Sequence, residues 1–155
     1  MFDLTAKMRR FKLLIIAILA VFLIIFAVSF LFREKVTVSA FSQSTVADTA
    51  EKRISFLTYF GWDVDDESES SQNIVIPRTF PPVYDEYNKI QLSQGCDLRD
   101  YSGLEVVRYT YEVKNYPNYD GAVYAELLVY KNVIIGGDIH SAALDGFIHG
   151  LSFPG

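Results

Sequence analysis

The sequence of 155 residues predicts an α+β domain that follows a single N-terminal transmembrane helix. Three observations support this fold class. An uncharged apolar run of 20 residues lies near the N-terminus, two later segments repeat apolar residues at helical spacing, and a third region alternates apolar and polar residues as strands do. Helices combined with an antiparallel meander are typical of α+β domains, with the helices packed on one face of the sheet.

Composition divides the chain into two parts. In residues 1–35, 25 of 35 residues are apolar and the net charge is +4, whereas in residues 36–155 the apolar count is 53 of 120 and the net charge is −9. A hydrophobic fraction of 50% excludes a disordered chain, and a net charge of −5 argues against a nucleic-acid partner. We therefore expect a basic apolar head joined to one acidic domain.

The apolar run has the length and composition of a membrane span. As a helix it would be about 30 Å long, which is the thickness of the hydrocarbon core of a bilayer. Four basic residues precede it, and basic residues are enriched on the cytoplasmic side of such helices. We predict a cytoplasmic head at residues 1–12, a transmembrane helix in contact with lipid at 13–32, a linker at 33–44 and an extracytoplasmic domain at 45–155.

A cleaved signal peptide is the competing interpretation of this segment. Val38-Ser39-Ala40 fits the small-residue cleavage pattern only loosely, and the apolar run is longer than the hydrophobic region of most signal peptides. Arg33, Glu34 and Lys35 also separate the run from that tripeptide. The sequence favours the uncleaved anchor in the cell membrane and leaves cleavage open.

Cys96 is the only cysteine, so the chain cannot form an intramolecular disulfide. An exported domain without disulfides suits a bacterial envelope. No cluster of histidine or lysine lies near Cys96 in the sequence to lower the pKa of its thiol. We expect Cys96 to be a small buried hydrophobe.

The first half of the external domain is predicted as a helix followed by a hairpin. Thr45 and Asp48 have the spacing of a capping box, and Gly61 ends the helix. Residues 62–64 and 74–76 have strand composition, with an acidic run between them. We interpret that run as a solvated hairpin tip, because it lacks the glycine and glutamate positions of an EF-hand calcium loop.

The second half begins with a helix at residues 80–92, whose first turn tolerates two prolines. Three antiparallel strands follow at residues 107–114, 122–130 and 133–135. We expect Gly136-Gly137 to end or bulge the third strand, and Ser141 to cap a short terminal helix. The predicted order is therefore helix, two strands, helix, three strands and a short helix.

Polar residues that interrupt apolar elements mark a candidate ligand-facing patch. No motif assigns a catalytic, cofactor-binding or metal-binding residue, so the patch is predicted from polarity alone. Its members are Tyr87, Asn88, Gln91 and Asp138.

An alternative site combines the acidic residues and histidines near the C-terminus. Such residues suit a metal ion or a general base, which would make the protein an envelope hydrolase or a metal-dependent enzyme. No HExxH, CxxC or GxSxG motif accompanies them, so exposed polar residues are the favoured interpretation. The group consists of Asp138, His140, Asp145 and His149.

Seven short motifs stand out along the external domain: Gly61-Trp62, Ile76-Pro77, Tyr87-Asn88 with Gln91, Gly95 with Asp97-Leu98, Arg108-Tyr109-Thr110-Tyr111, Asn115-Tyr116-Pro117 and Ile135-Gly136-Gly137-Asp138. Together they resemble an uncharacterised family of clostridia-like Gram-positive bacteria. That family is a domain of unknown function, and it usually follows an N-terminal membrane segment. The resemblance covers roughly residues 51–151, and it implies an envelope protein without known catalytic residues.

These observations favour a single-pass membrane-anchored extracytoplasmic domain that acts by binding or interaction rather than by catalysis. No cofactor is expected, and the candidate partner is an envelope protein or peptide. The acidic charge of residues 36–155 favours a basic partner or a bound cation. A pure spacer within an envelope complex is the third interpretation.

Overall fold

A computed structural model describes residues 45–154 as one mixed helical and antiparallel domain. The strands follow one another in the sheet in chain order, from β1 to β5. The α+β class predicted from the sequence is therefore confirmed for these residues. The elements are α1 (Ala50–Tyr59), β1 (Ser70–Val75), α2 (Pro82–Ser93), β2 (Glu105–Glu112), β3 (Val123–Tyr130), β4 (Val133–Ser141) and β5 (Ile148–His149).

Within residues 45–154, no helix combines the length and the hydrophobicity that crossing a membrane requires. The predicted cytoplasmic head (1–12), transmembrane helix (13–32) and linker (33–44) lie outside the described residues. Those three assignments stay predictions.

Each face of the sheet is covered by a different helix. Successive side chains of a strand point to opposite faces, so Leu127 and Leu128 of β3 belong to different cores. On the first face, Leu127 lies in a core with Phe56 and Leu57 of α1. On the second face, Leu128 lies in another core, against which Tyr84 and Tyr87 of α2 pack. The prediction that both helices pack on one face is wrong, because the central strands are apolar on both sides and need two covers.

Helix α1 begins at Ala50, five residues after the predicted start. Thr49 is the cap, and its hydroxyl accepts a hydrogen bond from the Lys52 backbone N–H at 3.4 Å. The residues around Thr45 instead extend along the beginning of β4, where the N–H of Ile134 donates to the Thr45 carbonyl at 2.8 Å. This pairing prevents residues 45–47 from joining the helix.

The predicted hairpin between α1 and α2 is wrong. Residues 62–64 make only an isolated bridge, between Val64 and Val113, and β1 pairs with β2 instead. Strand β1 is an edge strand that begins with four exposed polar residues, so its sequence lacks the apolar alternation of a half-buried strand. One strand rather than two therefore precedes α2.

Arg53 connects α1 to the first face of the sheet. Its side chain is only 6% exposed, and it donates two hydrogen bonds to the Glu69 carboxylate at 2.8 and 2.9 Å. Its Nε donates to the Tyr111 hydroxyl at 2.9 Å, and the guanidinium stacks over the Tyr109 ring. A buried charge needs such a complete set of partners, so this part of the acidic run has a structural role.

Strand β4 does not end at Gly136-Gly137, and the alternative prediction of a bulge is confirmed beside them. The pairing register with β3 shifts by one residue here: Leu128 lies opposite Gly136, but Val129 lies opposite Ile134, which leaves Ile135 as the extra residue. A Cβ atom on Gly136 would stand 2.9 Å from Oε1 of Gln91, so the missing side chain lets α2 approach the strand.

The predicted terminal helix is wrong, because the chain turns after Ser141 and pairs with β4 again as β5. Ile148, which the predicted helix would contain, lies opposite His140 in the sheet. The short strand covers only the last residues of β4, so other groups must cover the remainder of its edge.

Two buried glutamines, Gln91 of α2 and Gln94 at its C-cap, bond with the edge of β4 that β5 does not cover. Oε1 of Gln91 accepts from the Gly137 N–H at 2.9 Å, and Nε2 of Gln94 donates to the Gly137 carbonyl at 2.9 Å. Oε1 of Gln94 accepts from the Leu151 N–H at 2.6 Å. These side-chain amides supply the hydrogen bonds that a further strand would make, and they fix α2 on the sheet.

Cys96 lies partly buried just after α2, and burial raises the pKa of its thiol to about 11. A raised pKa keeps the thiol protonated at pH 8, and only the thiolate reacts with alkylating agents. We expect iodoacetamide to modify native Cys96 on the order of 100-fold more slowly than the same residue in urea. Mass spectrometry of timed samples measures both rates. Equal rates in the native and unfolded protein would contradict the burial described.

Candidate functional site

A pocket of about 350 Å³ opens on the second face of the sheet, beside α2. Apolar side chains from three strands form part of its wall, namely Ile74, Leu128 and Ile148. The rest of the wall is polar and ionisable, which distinguishes this pocket from the surrounding core. The polar lining residues are Tyr84, Tyr87, Arg108, Glu126, Asp138 and His140.

Strand periodicity brings the ionisable residues together. Arg108 lies on β2, Glu126 on β3, and Asp138 and His140 two positions apart on β4, so the last two share a face. The register places Glu126 directly opposite Asp138. Four charged or titratable side chains from three adjacent strands therefore converge under α2.

Asp138 forms the floor of the pocket and is 1% exposed. The Tyr87 hydroxyl donates to one carboxylate oxygen at 2.8 Å, and Nδ1 of His140 lies 2.9 Å from the other. Burial, followed by the charge of Asp138, raises the pKa of Tyr87 well above its usual value. The phenol therefore stays protonated and remains a donor to the carboxylate.

His140 is oriented by the same carboxylate. The hydrogen bond to Asp138 is the main cause that raises the pKa of the imidazole, against the opposing effect of burial. The ring also lies 5.8 Å from the ring of Tyr124, which is its cross-strand neighbour. Nδ1 of His140 is thus hydrogen-bonded to Asp138, and the ring packs against Tyr124.

The negative charge of Glu126 faces that of Asp138 and has few close positive partners. Burial, and then the charge of Asp138, raises the pKa of the Glu126 carboxyl. Nε of Arg108 lies 3.4 Å from this carboxylate without hydrogen-bond geometry, and the Thr110 hydroxyl donates at 3.4 Å. The Arg108 guanidinium makes its short bond elsewhere, to Gln72 at 2.6 Å. Two carboxylates therefore face each other with one loosely held cation nearby.

The structure brings together only half of the predicted polar patch. Tyr87 and Asp138 are in contact in the pocket, but Asn88 and Gln91 are fully buried elsewhere. Asn88 bonds with the Asp97 carboxylate and the Leu98 N–H, both at 2.9 Å, and so holds the loop after α2. Asn88 and Gln91 satisfy backbone and loop groups and do not face the pocket.

The alternative group of acids and histidines is divided between the two faces of the sheet. Asp138 and His140 lie in the pocket. His149 pairs with Ile139, which faces the first core, and its Nε2 lies 3.1 Å from the Tyr116 hydroxyl. Asp145 is exposed in the turn before β5. Adjacent register positions explain the division, because neighbouring strand residues point to opposite faces.

Glu126 and Arg108 are pocket residues that the sequence reasoning missed. Glu126 is the one charged residue of the apolar run at residues 122–130. A lone charge in a strand that is apolar on both sides was the available signal, because burying it requires a partner or a ligand.

Three of these side chains offer donor atoms that a metal ion requires. Glu126, Asp138 and His140 each provide one such atom, and all three atoms lie within 4.8 Å of one another. The sequence assigned no metal ligands, since two of these residues are 12 or more positions from the third. Only the sheet register brings them together.

An apolar groove of about 860 Å³ adjoins the pocket and shares Tyr84, Tyr87 and Ile148 with it. Val83 of α2 lines this groove and is 82% exposed. The pocket thus opens beside an exposed apolar surface.

Comparison with known proteins identifies one family. The family described as "Domain of unknown function (DUF4830)" matches residues 56–139, which are 84 of the 155 residues. The matched segment contains Tyr87, Arg108, Glu126 and Asp138. No curated protein and no solved structure is detectably similar to the chain.

Replacement of Tyr87 by phenylalanine tests the contact on the pocket floor. Y87F leaves the buried Asp138 carboxylate without one of its donors, and we expect the free energy of unfolding to fall by about 1.5–3 kcal/mol. Y84F is the matched control, because the Tyr84 hydroxyl makes no hydrogen bond with the described residues, and it should change stability by less than about 0.5 kcal/mol. Urea unfolding measures both values. Equal losses in the two variants would contradict the role given to Tyr87.

Proposed function

The chain belongs to the DUF4830 family, and we propose that it is a single-pass membrane-anchored protein whose external domain binds a cationic ligand in the pocket beside α2. The observation that carries this proposal is the opposition of Glu126 and Asp138 inside the pocket. The domain acts by binding, on the outer side of the membrane of a Gram-positive envelope.

The location is supported by the sequence of the N-terminal segment. Residues 13–32 are uncharged and long enough to span a bilayer, and the basic residues lie mainly before them. This arrangement keeps residues 1–12 in the cytoplasm and exposes the acidic domain outside. Repulsion from anionic lipid and wall polymers favours a positively charged partner over direct attachment to those surfaces.

The pocket is supported as a cation site by its charge balance. Like charges directly opposite each other in a sheet destabilise it, and burial increases the cost. Asp138 is compensated by His140 when the imidazole is protonated, whereas Glu126 has one ion pair with Arg108 and one hydrogen bond from Thr110, both at 3.4 Å. A ligand with a positive charge would remove this repulsion, and that gain would contribute to its affinity.

Two sources of positive charge share this chemistry, namely a metal ion and a basic side chain of an envelope protein or peptide. A basic side chain in the pocket would leave its neighbours against the apolar groove, where Val83 and Ile148 are exposed. Zn²⁺ and agmatine are the probes that distinguish the two sources.

An envelope hydrolase is the second candidate, and the Asp138–His140 hydrogen bond favours it. A carboxylate that orients a histidine is the arrangement of a general base. No serine, threonine or cysteine side chain lines this pocket of the described domain. Binding is therefore the function that the pocket supports better.

Protease treatment of intact cells tests the proposed topology. We expect an external protease to remove the domain of residues 36–155 and to leave an N-terminal tag protected, because the tag lies in the cytoplasm. Immunoblotting for tags at both ends measures the outcome, with a cytoplasmic protein as the control for intact cells. Full protection of the domain in cells would contradict the topology.

Thermal unfolding of the full chain in detergent tests the cation pocket. We expect Zn²⁺ or agmatine, which carries a guanidinium, to raise the unfolding temperature by a few degrees at about ten times its dissociation constant. D138N should lose the effect, and D145N is the matched control, since Asp145 is exposed and outside the pocket. The proposal fails if neither cation stabilises the protein, or if D138N responds as the parent does.

A further inference from the structure

We propose that Glu126, Asp138 and His140 form a binding site for a divalent transition-metal ion. This inference rests on the proposed function, since it names the cation that the pocket takes. The site combines an imidazole nitrogen with two carboxylates, so it is more than a cluster of acidic groups.

The distances between the donor atoms are close to those between the ligands of a transition-metal ion. Donor atoms of the three residues lie within 4.8 Å of one another, and Nδ1 of His140 lies 2.9 Å from an oxygen of Asp138. Two ligands bonded at about 2.1 Å stand about 3 Å apart when they occupy neighbouring corners of an octahedron. A separation of 4.8 Å is wider than the about 4.2 Å between two ligands on opposite sides of such an ion, so the Glu126 carboxylate would move towards the other two donors when the ion binds.

The scaffold holds these ligands in place. All three residues lie on β3 and β4, which pair through eight registered positions, and strands position ligands more firmly than loops do. Tyr87 donates to the Asp138 oxygen that His140 does not contact. A ligand that is itself hydrogen-bonded keeps its orientation, which raises the affinity of the site for metal.

Binding replaces a proton with the ion. In the metal-free protein one proton lies between Nδ1 of His140 and Asp138, and metal binding to Nδ1 requires the imidazole to carry its proton on Nε2. A neutral imidazole keeps its single proton, which moves to Nε2, whereas an imidazolium releases the Nδ1 proton to solvent. Arg108 does not block the ion, because its short hydrogen bond is to Gln72 and not to Glu126.

The donor set selects the class of metal. Imidazole suits Zn²⁺, Fe²⁺ and related ions, whereas Ca²⁺ and Mg²⁺ prefer sites made of oxygen alone. The pocket of about 350 Å³ leaves space for water or a further ligand to complete the coordination. A basic side chain would contact the two carboxylates without needing His140. A requirement for His140 therefore distinguishes a metal ion from a basic side chain.

Isothermal titration of the full chain in detergent tests the metal site, with Zn²⁺ as the probe and Ca²⁺ as its comparison. The chain carries no affinity tag and is first treated with a chelator. We expect one Zn²⁺ per chain, at least tenfold weaker binding by H140A and by E126Q, and much weaker binding of Ca²⁺. H149Q and D145N are matched controls outside the pocket, and both should bind as the parent does.

A spectroscopic readout keeps the test independent of folding defects. In protein labelled with ¹⁵N-histidine, Zn²⁺ should shift the Nδ1 resonance of His140 and leave that of His149 unchanged. Absence of stoichiometric binding, equal binding by H140A, or a shift confined to His149 would overturn the site. Stabilisation by agmatine without zinc binding would overturn the metal site and keep the cation pocket, whereas no response to either probe would overturn both.

Discussion

The buried carboxylate of Asp138 is the group on which the second face of the domain depends. It is 1% exposed, and its donors come from α2 and from β4, so the charge can be buried only when helix and sheet are docked. The next residue along β4 towards the N-terminus, Gly137, is bonded by Gln91 of the same helix and by its C-cap residue, Gln94. Pocket and helix docking are therefore parts of one hydrogen-bonded arrangement.

Buried charges have more close partners on the first face of the sheet than on the second. On the first face, Arg53 is matched by Glu69, Tyr111 and a backbone carbonyl, so the buried charge is compensated within the protein. On the second face, Glu126 and Asp138 oppose each other and the nearest arginine is loosely held. A buried charge with several close partners stabilises a fold, whereas two opposed carboxylates with few close partners beside a pocket indicate a ligand.

Hydrophobic periodicity predicted the α+β fold class and the three central strands. It also placed the start of the second helix within two residues of the observed one. It failed where tertiary contacts decide the structure: β1 is a polar edge strand, β5 exists because it pairs with β4, and residues 45–47 extend along β4 instead of entering α1. For the site, sequence analysis found Tyr87 and Asp138 because they interrupt apolar elements. It missed Glu126, since only the register places that residue opposite Asp138.

In the proposed function, Glu126 serves ligand binding and does not stabilise the fold. The most direct test is the free energy of unfolding of E126Q relative to the parent chain at pH 7, in buffer without metal. We predict that E126Q is as stable as the parent or more stable, because it removes the repulsion with Asp138 and loses only the 3.4 Å contacts with Arg108 and Thr110. A loss of more than about 1 kcal/mol would show that Glu126 stabilises the fold and would contradict the account.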